Sequence, residues 1–180
     1  MFTEQLKSVL DHLVWTVKNI HHFSLIPTSK DYKDIETITK ELGGSLVFHD
    51  GTETEVCRCG TSFIIRIPNT KIETYKLRCF AEALAILFLE IRYMMSDNDF
   101  MKHEDMVCET IYRRDYDDYK ALIYLTDEFL CPKEELKKTT ISLLHDDGTF
   151  CINEVAKAMG LDYSYIELRL VQCHLMERRL

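Results

Sequence analysis

The segment 72–95 constrains the fold of this chain most strongly, because it contains neither glycine nor proline. Its apolar residues recur at spacings of three and four, the pattern of a helix that buries most of its surface. They are Tyr75, Leu77, Phe80, Ala83, Leu84, Leu87, Phe88, Ile91 and Met95. The longest unbroken apolar run, from Ala83 to Leu89, is far shorter than the roughly 18 to 20 residues of a membrane span. The segment therefore predicts a long buried helix at the centre of a globular domain, and no membrane crossing.

The rest of the composition fits an ordinary globular chain with a proper core. Of the 180 residues, 46% are hydrophobic and 29% are charged, and Gly and Pro number only six and three. We expect one main domain over residues 1–148 and a small helical unit over residues 149–180 packed on it. Thirty acidic against 22 basic residues give a net charge of −8, which makes binding to nucleic acid an unfavoured function.

The start of the chain and its cysteines favour a cytoplasmic location. Residues 1–6 carry no basic region before an apolar stretch, so the sequence predicts no secretory signal. The seven cysteines are odd in number, and a chain of this size folds without disulfides, which is typical of reduced thiols. Cys57, Cys59 and Cys79 offer too few ligands of usable spacing for a soft metal, and buried free thiols are the favoured interpretation.

Periodicity also predicts the other elements of an α+β fold. Apolar spacings of three and four indicate helices over residues 2–20, 31–42, 119–130 and 133–144. Short β-prone segments at 45–49, 54–59 and 62–68 indicate a small three-stranded sheet, which we expect to be antiparallel. Helices therefore dominate, and the sheet precedes the central helix.

The C-terminal segment 152–175 has the outline of a helix-turn-helix, with Gly160 in the turn. We expect Tyr163 and Tyr165 in the same turn. Residues 153–180 carry four acidic and four basic side chains, a net charge of zero, whereas a protein that reads the major groove adds several cations for the phosphates. Packing of these helices on the core is therefore favoured over DNA binding, and a DNA-binding regulator remains an alternative.

Two segments of the chain carry a resemblance to a known family. Residues 63–68 read Phe-Ile-Ile-Arg-Ile-Pro and lead into residues 77–89, Leu-Arg-Cys-Phe-Ala-Glu-Ala-Leu-Ala-Ile-Leu-Phe-Leu. This order resembles the ImmA/IrrE family of metallo-endopeptidases, in which a strand hairpin leads into a core helix of the type Arg-Phe-x-x-Ala-His-Glu-Leu-Gly-His. Residues 121–132 and 152–161 are similar to the family's later helices. The resemblance covers roughly residues 30–170 and implies a zincin-like architecture.

The family's zinc ligands are replaced in this sequence. In His-Glu-x-x-His, two imidazoles one turn apart hold zinc and the Glu takes a proton from the metal-bound water. The resemblance places Ala81 and Ala85 at the two His positions, Ala121 at the third, acidic ligand, and Glu82 at the general base. Because alanine has no lone pair to donate, the resemblance implies a metal-free protein without a cofactor, in which Glu82 is a vestigial catalytic residue.

We therefore expect a catalytically inactive metallopeptidase-like protein that acts by binding another protein. The resemblance implies a regulator or inhibitor from phage or mobile-element biology, with a repressor or a host defence protein as partner. The acid-rich stretch before residue 119 is the candidate contact surface, since a negative patch steers a basic partner. Its candidate residues are Asp97, Asp99, Glu104, Asp105, Asp115, Asp117 and Asp118.

An enzymatic alternative also remains open. A peptidase of this kind recruits its metal with a non-standard ligand set, such as His103 with Glu82 and an aspartate of the 115–118 cluster. His103 and Glu104 begin a zincin-like string, but Val107 stands where the second imidazole belongs. The string is therefore interpreted as an exposed polar pair.

Overall fold

The computed structural model describes residues 4–59, 62–89 and 116–177 and places seven helices and three strands within them. The helices are α1 (Glu4–His21), α2 (Ile35–Glu41), α3 (Glu73–Leu89), α4 (Tyr116–Leu130), α5 (Lys133–Ser142), α6 (Ile152–Met159) and α7 (Tyr163–Gln172). The strands are β1 (Ser45–His49), β2 (Glu55–Cys59) and β3 (Ser62–Pro68). The predicted α+β class, mostly helical with a small sheet, is confirmed. No helix among these residues is both long and apolar enough to cross a membrane.

The sheet is mixed, so the expectation of an antiparallel sheet is wrong. Its strand order is β1-β3-β2, with β2 antiparallel and β1 parallel to the central strand β3. Alternation along β3 points Phe63, Ile65 and Ile67 into the core, where each is fully buried. The strand bounds agree with the prediction, but hydrophobic alternation indicates which face is buried and says nothing about which neighbour a strand pairs with.

Helix α3 lies at the centre of the core, as predicted. From Leu77 to Phe88 nearly every side chain is buried, because α4 covers one side of the helix and the sheet covers another. Helix α1 packs on α4 through a stripe formed by Leu10, Val14 and Val17. The core is thus continuous across the sheet and the helices.

Helix α2 is shorter than predicted because Asp34 caps it. The Asp34 carboxylate accepts a hydrogen bond from the backbone N–H of Thr37 at 2.9 Å, which fixes the helix start at Ile35. The preceding Tyr32 instead forms an isolated β-bridge with Ser24. The predicted start near residue 31 is therefore wrong by one helical turn.

The C-terminal helices α6 and α7 meet at Gly160, whose φ of 65° ends α6 in the left-handed region. Asp162 then occupies the N-cap position of α7. Tyr163 and Tyr165 consequently lie in the first turn of α7, which corrects the expectation that they occupy the inter-helix turn. The hydroxyl of Thr28 donates to the carbonyl oxygen of Ala158 at 2.6 Å, so the loop after α1 holds the end of α6.

Candidate functional site

The three positions assigned to zinc ligands are buried alanines. Ala81 and Ala85 on α3 are fully buried and Ala121 on α4 is nearly so, and these two helices form the most extensive helix–helix contact of the described residues. Methyl groups offer no electron pair to a metal. The residues at these positions therefore do not fit a zinc ion.

Glu82 is half-buried on α3, beside a thiol and a phenol. Burial raises the pKa of the Cys79 thiol above its usual range, and the Glu82 charge adds to that shift. The pKa of Tyr75 is also raised, first by Cys79 and then by burial, with a smaller contribution from Glu82. The neighbours of Glu82 that these shifts identify therefore retain their protons at neutral pH, and a protonated thiol is a poor metal ligand.

The other sequence candidates are placed only in part. Asp97, Asp99, His103, Glu104, Asp105 and Asp115 lie outside the described residues. Asp117 and Asp118 lie in the first turn of α4, where the description extends to the backbone only. Within residues 4–59, 62–89 and 116–177, no group of three or more His, Cys, Asp or Glu side chains has the arrangement of a metal site. Cys57 is partly buried and Cys79 is buried.

A cavity that sequence reasoning missed lies between the beginning of α3 and the beginning of α7. It measures about 290 Å³, near the lower end of the range for small-ligand pockets. Leu130 and Leu161 form part of its wall. The beginnings of the two helices contribute Thr74, Tyr75, Arg78, Asp162, Ser164, Tyr165 and Leu168 to its lining. We call this space the seam cavity.

A buried ionic network lies next to the seam cavity, where α4, α5 and α7 meet. Arg169 of α7 is only 3% exposed and forms an ion pair with Glu128 of α4, and its Nε donates to the carbonyl oxygen of Cys131 at 3.1 Å. The second carboxylate oxygen of Glu128 accepts from the backbone N–H of Lys133 at 3.2 Å, at the start of α5. We call these four residues the ionic junction.

Three more titratable groups lie close to the ionic junction. The Tyr165 hydroxyl donates to Asp127 at 3.1 Å; burial raises the pKa of Asp127, and the nearby Arg169 opposes that shift. The Lys18 ammonium is enclosed and donates no hydrogen bond to any described residue. Burial lowers its pKa to about 8, although Glu135 and Glu128 act in the opposite direction. The ionic junction therefore connects α4, α5 and α7, and the Lys18 ammonium of α1 lies within range of its Glu128 carboxylate.

The ionic junction bears on the DNA-binding alternative. Arg169 is the only Arg or Lys of α7, and it faces the core. The exposed residues of that helix include Tyr163, Glu167 and Leu168, which supply no cation for a phosphate. The geometry of α7 therefore argues against its use as a recognition helix.

Comparison of the sequence with protein-family models, with curated proteins and with solved structures gives no match in any of the three. The resemblance to the ImmA/IrrE family stays a prediction.

Proposed function

We propose that this protein acts by binding another protein and has no peptidase activity, on a scaffold similar to that of the ImmA/IrrE family. The observation that carries the proposal is the burial of Ala81, Ala85 and Ala121 in the hydrophobic core, on two helices that contact one another extensively. An imidazole or a carboxylate does not fit at the position of a buried alanine, because protein cores are packed close to crystal density. Because alanine is also the strongest helix former, alanine at a ligand position removes the metal site and preserves the helix.

The partner class follows from the resemblance, and the contact surface from charge. A repressor or a host defence protein is the proposed partner, within phage or mobile-element biology and in the cytoplasm. The acid-rich stretch from Asp97 to Asp118 is the proposed contact, since the eight acidic residues between positions 96 and 118 outnumber Lys102, Arg113 and Arg114. Such a patch accelerates encounter with a basic surface and depends strongly on salt.

Metal content tests the absence of a peptidase centre. Protein purified without added metal is analysed by mass spectrometry for zinc and manganese, and we expect far less than one ion per chain. Glu82→Gln serves as the comparison, because a ligand set that includes Glu82 loses affinity with this change. Stoichiometric, tightly held metal that disappears in Glu82→Gln contradicts the proposal and supports the endopeptidase alternative.

Capture of a partner tests the contact surface. Immobilised protein is compared with a variant in which Asp97, Asp99 and Asp105 are changed to Asn. A matched control changes two exposed aspartates elsewhere, Asp50 and Asp146, to Asn. We expect the first variant to lose the captured protein and the control to retain it. Equal capture by both variants shows that the contact surface lies elsewhere.

A further inference from the structure

The rim of the seam cavity exposes large apolar side chains. Tyr75 is 41% exposed and Leu168 is 54% exposed, and both line the cavity. Tyr163, between the two lining residues Asp162 and Ser164, is 44% exposed. Exposed aromatic and aliphatic side chains concentrated around a pocket are typical of a protein contact surface.

The same rim carries one charge of each sign. Arg78 of α3 and Asp162 before α7 are the two charged residues of the cavity lining, and both are exposed. Neither forms an ion pair with another described residue. We call Tyr75, Arg78, Asp162, Tyr163 and Leu168 the seam patch.

We propose that two copies of this chain pair through the seam patch about a two-fold axis. In this arrangement Arg78 of each copy faces Asp162 of the other, and Leu168 of each copy approaches the cavity of the other. A two-fold contact places the same surface on both sides, so the surface must be complementary to itself. A patch with one cation, one anion and an apolar centre meets that condition.

Charge explains why the second copy is favoured over a foreign partner. Each chain carries a net charge of −8, so two copies repel one another over most of their surfaces. Within the seam patch Arg78 and Asp162 carry opposite charges, so the patch itself has no net charge and adds nothing to that repulsion. A partner of uniform charge would match one of the two residues and repel the other.

A charge-exchange experiment tests the pairing. The mass of the wild-type protein is measured by sedimentation equilibrium up to high micromolar concentration, and we expect twice the chain mass of 21.2 kDa. Arg78→Asp alone sets two Asp–Asp pairs in the contact, and Asp162→Arg alone sets two Arg–Arg pairs. We expect each change to raise the dissociation constant by about a hundredfold or more.

The decisive sample is an equimolar mixture of the two single variants. In a mixed pair, residue 78 and residue 162 carry opposite charges at both contacts, so we expect a dimer from two proteins that are each monomeric. The double variant Arg78→Asp/Asp162→Arg also recovers the dimer. Lys137→Glu, an exposed change on α5, is the control and leaves the mass unchanged. Circular dichroism verifies that every variant is folded.

Two results overturn the inference. A wild-type protein that stays monomeric at the highest concentration shows that the seam patch does not pair with itself. A dimer that persists in both single variants shows that the copies meet elsewhere. Neither result touches the proposed function, because partner capture depends on the stretch from Asp97 to Asp118, and monomeric Arg78→Asp serves equally well in that experiment.

Discussion

The two ends of helix α4 make contacts of opposite character. Near its start, Ala121 is buried in the same hydrophobic core as Ala81 and Ala85 of α3. Near its end, Glu128 holds Arg169 of α7 in a buried ion pair. The comparison shows that the start of α4 lies in the apolar core, whereas its end is attached to the C-terminal helices by a buried ion pair.

Substitutions in the two contacts are expected to lower the free energy of unfolding by different mechanisms. An apolar contact loses stability in proportion to the volume that is added or removed. A buried ion pair loses more when one partner is removed, because the other charge remains buried without compensation. The following changes separate these two behaviours.

Arg169→Met gives the largest expected effect. The change leaves Glu128 buried without its cation and removes the hydrogen bond to the Cys131 carbonyl, so we expect a loss of about 3–5 kcal/mol in the free energy of unfolding. Urea denaturation followed by circular dichroism measures it. Arg66→Met is the matched control, since the Arg66–Glu55 ion pair is partly exposed and is expected to contribute about 0–1 kcal/mol. Equal losses in the two variants would show that the ionic junction is not buried in solution.

Lys18→Met changes the pH dependence of stability. Burial lowers the pKa of Lys18 from 10.5 to about 8, so between these values the unfolded chain holds a proton that the folded chain has released. The wild type therefore gains stability relative to Lys18→Met as the pH rises from about 7 to about 11, by on the order of 3 kcal/mol. Unfolding midpoints of both proteins across this range provide the measurement. A constant difference between the two proteins contradicts an enclosed Lys18 ammonium.

Ala85→Leu tests the apolar contact of α3 and α4. Because Ala85 is fully buried, the added isopropyl group must displace its neighbours, and we expect a loss of about 1–3 kcal/mol. Ala158→Leu is the control, because Ala158 is exposed on α6 and the same addition there meets solvent. Thermal unfolding of both variants tests the point. If Ala85→Leu is as stable as its control, a side chain larger than alanine fits there and the argument against metal ligands weakens.

Thiol labelling gives the smallest and most local effect. Burial raises the pKa of Cys131 to about 12, whereas Cys151 is exposed. In the folded protein we expect Cys151 to react with a thiol reagent long before Cys131, as followed by peptide mass spectrometry. In Arg169→Met, labelling of Cys131 accelerates because the ionic junction opens. Cys131 labelling that matches Cys151 in the wild type would show that the junction is open already.

Local structure was largely predictable from the sequence. The bounds of β1 and β3 follow from β-prone segments, and the buried α3 follows from its apolar spacing. Pairing was not predictable, because β1 and β2 both pair with β3 and local patterns contain no information about the partner of a strand.

Only part of the candidate site could be predicted from the sequence. The resemblance assigns Ala81, Ala85 and Ala121 to ligand positions, but the sequence does not predict a cavity between two helices that are distant along the chain. The ionic junction did leave a signal in the sequence. Arg169 occurs in the same helical stripe as Ile166, Leu170 and Cys173, and a cation in an apolar stripe calls for a buried partner. The net charge of residues 153–180, which is zero, does not contain that signal.

The strand order β1-β3-β2 also sets the order of events during synthesis. The central strand β3 is the last of the three to leave the ribosome, and both edge strands bond to it and not to each other. Leu46 and Val56 therefore have no sheet neighbour until Ile65 has been added to the growing chain. A nascent chain that ends before residue 62 therefore lacks the one strand to which both edge segments bond.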